Sequence, residues 1–269
     1  MLVSHGSQGH FKLVKMDLPP SALERMYAYD IIDTVEMISI LIGILASQPV
    51  WPPSLYIDLE GINLSRWGYI SILQIHVAPL RRTFIIDIHT LGPSAFDTSD
   101  RRRRQSLRSI LECASIPKVF FDVRSDSDAL FNLFNIALAG VVDLQILEYA
   151  SRKTGLGFVN GLSACIERGL CLSMKQKTIC RQIKERGIML FSPTDGGNYA
   201  VFNIRPLPVD IALYCVHDVQ WLPALYRRYM RQVPETAFPM VVGATLDRVA
   251  KSKNLSYVGC GKHRARGPW

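Results

Sequence analysis

Between residues 55 and 88 the chain passes through three strand-length apolar segments whose connections are too short to carry a crossover helix. The segments are 55–60, 69–77 and 84–88, rich in isoleucine and little interrupted by polar residues. They are joined by a loop at 61–68 and a turn at 79–82. A parallel pair needs a connection of about a dozen residues or more, so these strands are expected to run antiparallel, as a meander.

Beyond residue 88 the pattern changes. The spacing predicts a helix over 106–113, a short strand over 118–122, a helix over 125–134 and a further strand at 141–142. Helix–strand alternation adds parallel strands to the meander. The expected fold is α/β, with a mixed five-stranded sheet flanked by helices and a helical C-terminal extension. Further helices are expected at 144–152, 159–169, 173–186, 208–231 and 235–251. Segment 191–205, with Gly196-Gly197, reads as a long loop or lid. Residues 1–28 read as irregular, punctuated by Pro19-Pro20. Asp30 or Asp33 is expected to cap a helix that runs to about Ser47, before Trp51-Pro52-Pro53 breaks it. The expected organisation is an irregular segment at 1–28, a main domain at 29–232, and an extension and tail at 233–269 packed on the same body.

Composition narrows the function classes. A chain of 269 residues, 48% hydrophobic and 20% charged, can bury a full core without staples. Cys113, Cys165, Cys171, Cys180, Cys215 and Cys260 are scattered with no CxxC pair, which gives little support to a zinc or redox site. Free thiols in a reducing intracellular compartment, cytoplasmic or nuclear, are expected. No apolar stretch followed by a small-residue cleavage site marks a signal peptide. The longest apolar run, 37–46, is too short to span a bilayer and reads as a buried helix, so no membrane partner is expected. The net charge of +8 suits a polyanionic partner without requiring one. Arg101–Arg104 form the one dense basic run, either a solvated helix turn or a contact surface. Nothing in the pattern dictates an oligomeric state.

Five side chains stand out as carriers of chemistry. Asp58 and Glu60 lie two apart on an apolar strand, so period two puts both on one face. Such a pair repels and costs desolvation unless a cation sits between its members, although many acidic strand ends simply face solvent. Asp126 begins the helix after the fourth strand, where an acidic residue also suits the macrodipole and Ser125 can cap. Asp122 and Asp128 compete with it. Tyr214 and Asp218 lie four apart in a strongly apolar segment and share one helix face. A buried tyrosine bonded to an aspartate would look the same.

The ordered set is more specific than its parts. DxE on an early strand, Asp at a later helix start and Tyr-x-x-x-Asp on a late helix together resemble the DEDDy branch of the DEDD exonuclease superfamily. Leu55-Tyr56-Ile57-Asp58-Leu59-Glu60 followed by Ile72-Leu73-Gln74-Ile75 is similar to the first two strands of ribonuclease D-type and Werner-type exonuclease domains. Lys118-Val119 followed by Asp126 is similar to their second motif. The resemblance spans about residues 54–230. The C-terminal part, with Arg248-Val249-Ala250 and the ending at 259–269, resembles the fungal group of 3′–5′ exonuclease domain proteins.

This resemblance implies a ribonuclease H-like fold and 3′–5′ exonuclease activity on RNA or DNA, from a 3′ end, releasing 5′-mononucleotides. It implies two Mg²⁺ or Mn²⁺ ions held by Asp58, Glu60, Asp126 and Asp218, with Tyr214 orienting the attacking water. In the histidine branch a His stands five residues before the last aspartate. Here that residue is Leu213. His217 is turned about 100° from Asp218 around the helix and reads as structural. The competing readings are a catalytically inactive RNA-binding adaptor on the same fold and an endonuclease of the wider class. All four carboxylates and the tyrosine are present, which favours the exonuclease.

For substrate contacts, Arg66 and Trp67 in the loop after Glu60 are candidates for the terminal nucleotide, with Trp67 alternatively packed on the sheet edge. Gln74 matches a glutamine of related domains. Arg124 either touches a phosphate or pairs with Asp122 or Asp128. Asn198, Tyr199 and Arg205 are candidates for covering the cleft. Lys175, Lys177, Arg181, Lys184 and Arg186 form either a solvated helix face or a nucleic-acid track.

Overall fold

The computed structural model describes residues 27–100, 104–154 and 156–269. Expectations for residues 1–26 and for Arg101 to Arg103 therefore lie outside the described residues. Strands β1 (Tyr29–Ile32), β2 (Leu55–Glu60), β3 (Ile72–Val77), β4 (Arg82–Asp87), β5 (Lys118–Phe120) and β6 (Val141–Asp143) form one sheet in the order β1-β4-β3-β2-β5-β6. The pairs β2–β3 and β3–β4 are antiparallel, which is the meander. The pairs β1–β4, β2–β5 and β5–β6 are parallel.

The sheet has six strands rather than the expected five. The additional strand, β1, buries only Ile32, so it carries no readable alternation. Asp30 lies within β1 and pairs with Arg82 on the neighbouring strand instead of capping a helix. The cap of helix α1 (Val35–Ala46) is Thr34, whose hydroxyl accepts from the Met37 amide.

The remaining helices are α2 (Ile88–Leu91), α3 (Ser94–Asp97), α4 (Leu107–Glu112), α5 (Arg124–Phe134), α6 (Leu144–Ala150), α7 (Leu162–Gly169), α8 (Met174–Phe191), α9 (Val209–Gln220), α10 (Leu222–Met230) and α11 (Phe238–Ser252). The single helix expected over 208–231 is broken at Trp221. Pro223 lacks an amide proton and its ring would clash with the preceding turn, so the chain restarts as α10.

Alternation along the strands divides the core. Leu55, Ile57, Leu59, Leu73, Ile75, Val77, Phe84 and Ile86 point to one face, where α1, α4 and α5 cover them. Ile72 and Ile85 point to the other, against Ile179 and Ile183 of α8 and Ile211, Leu213 and Tyr214 of α9. A third apolar cluster joins Tyr56 and Val119 to α6, α7, α10 and α11.

The turn between β5 and α5 is held by distant groups. Asp122 has a left-handed backbone (φ 64°). The buried Asp143 carboxylate, at the end of β6, accepts from the amides of Asp122 (3.1 Å), Val123 (3.2 Å) and Gln145 (3.0 Å). Arg248 of α11 donates to Asp143 at 2.8 Å and to Gln145 Oε1 at 2.9 Å. Both charges are almost fully withdrawn from water, with side-chain exposures of 8% and 0%. Removing one partner of such a pair leaves the other charge uncompensated. Arg248→Ala is therefore expected to lower stability by about 3–5 kcal/mol, read from the midpoint of urea unfolding. An unchanged midpoint would remove the pair from the fold's support.

Candidate active site

β2 delivers two carboxylates to the face that α9 covers. Asp58 and Glu60 alternate with the buried Ile57 and Leu59, so they share the opposite side of the strand. From α9, Tyr214 and Asp218 face them one helical turn apart. Oxygens of Asp58, Glu60 and Asp218 lie within 4.8 Å of one another. Asp126 comes from the first turn of α5 and is buried, 4% exposed. Its Oδ1 is buried without a hydrogen-bond partner.

The electrostatics follow from crowding acids in a dry cleft. Burial, and then the charge of Asp218, push Asp58 up to about 7. Burial, followed by Asp58 and Asp218, holds Glu60 well above the usual carboxylate range. Burial and then Asp58 do the same to Asp126. Burial, and then Asp218, raise the Tyr214 hydroxyl, so it keeps its proton at neutral pH.

Two neighbours shape the cluster. Gln74 stands directly opposite Asp58 in the β2–β3 register and donates to Asp58 Oδ2 at 2.9 Å. Lys184 of α8 donates to both oxygens of Asp218 (2.7 and 2.5 Å) and to the Tyr214 hydroxyl (3.1 Å). Its ammonium also lies 4.2 Å from the centroid of the Tyr214 ring. Close packing of α8 on α9 depends on Gly187, where a Cβ would lie 2.4 Å from the tyrosine ring.

Three carboxylates within 4.8 Å of one another share one ammonium, and Asp126, outside that group, has a buried oxygen without a partner. All-oxygen donors of this kind suit hard divalent cations such as Mg²⁺ or Mn²⁺.

The competing acids are engaged elsewhere. Asp122 pairs with Arg124, Arg248 and Arg264. Asp128 accepts from the Arg66 backbone amide (2.8 Å) and from its Nε (2.7 Å). His217 is buried, and that burial lowers it to about 4. Its Nδ1 is 3.3 Å from Trp221 Nε1, and the ring packs against Tyr27, in keeping with a structural role.

Three of the candidate substrate contacts are engaged within the protein, Arg124 by the Asp122 pairing that the sequence left open. Arg66 is not free for a nucleotide: besides Asp128, its guanidinium donates to the carbonyls of Ser252, at the end of α11, and of Asn254 and Leu255 just after it. Gln74 is fully buried and supports Asp58. Arg124 donates to Asp122 and to the Arg264 carbonyl. In each case a long-range partner absorbs the donors. Trp67, by contrast, is 87% exposed, so it does not pack on the sheet edge.

The expected lid at 191–205 is a compact pair of 3₁₀ turns. Tyr199 stacks on Phe191, Asn198 caps the second turn, and Arg205 pairs with Asp87. Lys184 stood only among the basic residues of its helix in the sequence. Its i, i+3 separation from the buried Gly187 was the available signal that it turns inward.

The 3′–5′ exonuclease family profile matches residues 29–234. Among solved structures, Trypanosoma brucei RNase D in complex with GMP is similar at 23% identity, with a TM-score of 0.72, covering 92% of this chain and 71% of that one. The same protein in complex with RNA U12 gives 22% identity and a TM-score of 0.65, covering 90% of this chain and 76% of that one. Escherichia coli RNase D, an exoribonuclease, gives 17% identity and a TM-score of 0.59, covering 84% of this chain and 51% of that one. No curated protein matches the sequence. With an RNase H-like sheet and a family match over most of its length, the chain belongs to the 3′–5′ exonuclease domain family.

Proposed function

We propose that this protein hydrolyses phosphodiester bonds of RNA or DNA from a single-stranded 3′ end, releasing 5′-mononucleotides. The observation that carries this reading is the convergence of Asp58, Glu60 and Asp218 within 4.8 Å, beside the buried and unpartnered Asp126 oxygen. Trypanosoma brucei RNase D, solved with GMP and with RNA U12, supports a nucleic-acid substrate. Residues 29–232 would form the exonuclease domain, with 233–269 as its extension. Among the described residues, no helix is long and apolar enough to cross a membrane. All six cysteines are free, which fits action in the cytoplasm or nucleus.

In this reading Asp58, Glu60, Asp126 and Asp218 hold two divalent ions, Mg²⁺ or Mn²⁺. Bound there, the ions would supply Lewis acidity toward the attacking water and the departing oxygen. Tyr214 holds its proton and directs its hydroxyl at the water. Gln74 fixes the Asp58 carboxylate, which removes a rotamer choice at the moment of binding. Lys184 is the counter-ion of Asp218 when no divalent cation is bound.

The direct test is an end-labelled time course on matched RNA and DNA oligomers with Mg²⁺, Mn²⁺ or EDTA. The expected product is a ladder shortened from the 3′ end, absent in EDTA and blocked by a 3′-phosphate. Asp58→Ala or Asp218→Ala should abolish cleavage, and in Asp58→Ala the thermal midpoint should stay level or rise, because repulsion in the cluster is relieved. Full activity in either variant would mean that the metal centre lies elsewhere.

Tyr214→Phe should slow turnover by about a hundredfold, the usual scale for a positioned proton-bearing group, with little change in metal affinity. A wild-type rate would take the hydroxyl out of the reaction. Lys184→Met should tighten Mn²⁺ binding at pH 8.5 by at least about tenfold, measured by calorimetry, since a unit charge at this range is worth several kcal/mol at the effective dielectric of such sites. Unaltered affinity would show that the ammonium does not compete for Asp218.

A further inference from the structure

A second cavity of about 750 Å³, lined by none of the clustered acids, lies between α11 and the segment 254–269. Its lining includes Arg124, Arg248, Lys251, Arg264 and Arg266 but a single acidic side chain, Asp247, which pairs with Lys251 at 2.7 Å on the exposed rim. Behind the wall, Asp122 takes bonds from three of the arginines, and Asp143 binds Arg248. Five permanent cations therefore face three carboxylates. Arg266 is exposed, and among the described residues no carboxylate pairs with it. Tyr257 also lines the cavity, with its hydroxyl buried beneath the surface. A groove with surplus positive charge suits an anionic oxygen ligand.

The segment that closes this groove is built into the fold. Val159 donates its amide to the Ala265 carbonyl at 2.9 Å, Gly267 to Gly157 at 2.8 Å, and Tyr149 donates its hydroxyl to the Trp269 carbonyl at 3.0 Å. At Gly267 a Cβ would fall 2.3 Å from the Tyr149 ring, so only glycine permits this approach. The groove also adjoins the acidic cluster. Arg264 donates to Ser125 Oγ at 2.9 Å, and its charge acts on Asp126, the next residue of the same helix turn.

We propose that this groove binds the phosphodiester backbone of single-stranded nucleic acid, upstream of the 3′ end held at the carboxylates. The proposal rests on the exonuclease reading for the polarity of the strand. The cavity is larger than a lone phosphate needs. It also presents the half-exposed Trp269, an aromatic of the kind on which bases stack. A polymer is thus the better fit than a small anion. Arg266 and Lys251 would meet phosphates directly. Arg124, Arg248 and Arg264 would set the field while holding the β5–α5 turn.

The test uses the full chain with Arg266→Glu and Lys251→Glu combined, since both side chains are exposed and neither touches the acidic cluster. Fluorescence anisotropy with a labelled 12-nucleotide RNA is measured in EDTA across a salt series. The double variant should weaken binding at least tenfold at 100 mM salt. Its log–log salt slope should fall by about 1.4, because each single-strand phosphate contact contributes roughly 0.7. Turnover of a dinucleotide, too short to reach the groove, should stay at the wild-type rate.

Wild-type affinity and slope in the double variant would overturn the proposal, as would an equal loss on the dinucleotide. Loss of binding to anionic vesicles without loss on RNA would assign the groove to a membrane surface and also overturn it. If no substrate is cleaved by the wild-type chain while the RNA binding loss appears as stated, the exonuclease reading fails and the groove stands.

Discussion

Carboxylates from three separate elements share a cleft that water barely reaches, and that repulsion has to be met by the rest of the molecule. Asp58 and Glu60 come from β2, Asp126 from α5 and Asp218 from α9. Burial alone disfavours each charge, and proximity adds to the cost. A sheet strand carries the first two because alternation offers only one face for both, and the apolar residues between them anchor the strand on the other face. Among the described residues, Gln74 and Lys184 are the neighbours that donate to the carboxylates of Asp58 and Asp218 from their side chains. A cluster that unfavourable persists because each contributing element is secured independently by its own apolar contacts.

The security of Asp126 is the least local of these. The turn before it is pinned by Asp143 from β6 and by arginines from α11 and the tail. A few residues along α5, Asp128 is clamped to Arg66, which also ties the loop after β2 to the end of α11. The C-terminal segment, beyond the end of the family match at residue 234, therefore braces the turn that carries Asp126 and the loop after β2. Because the web is charged and buried, its value lies in fixing geometry more than in net stability.

Much of this was legible in the sequence wherever the signal is local. The meander followed from loop length, and β2, with Asp58 and Glu60 on one side, followed from period two. Tyr214 and Asp218 followed from helical spacing. The failures share a cause. Arg66 and Gln74 looked available because their partners, Asp128 and Asp58, are brought to them only by tertiary folding, whereas the Arg124–Asp122 pair was one of the two readings the sequence offered. Ser125 looked like the cap of α5, but the helix starts at Arg124 with Val123 in the cap position and no side-chain cap bond, and Ser125 accepts from Arg264 instead. β1 escaped because four residues with one buried side chain show no period. Lys184 sat among other basic residues, and only the packing of α8 on α9 turns it toward the acids.

Adjacent residues in the loop after β2 show how bracing and function combine. Arg66 is nearly buried and holds Asp128 and three carbonyls, whereas Trp67 is 87% exposed. The loop has little room to move. At Gly61 a Cβ would fall 1.9 Å from the Tyr69 carbonyl, and at Gly68 one would fall 2.2 Å from those of Ile62 and Asn63. Burying an indole would be the usual outcome for such a side chain, and here a fixed loop keeps it in water. A base stacking on an immobilised ring loses less conformational freedom than one meeting a mobile ring. On the exonuclease reading, the arginine thus acts through its neighbour: its clamp supports an aromatic platform on the loop that leaves Glu60, and the exposed surface there is maintained by the buried ion pair beneath it.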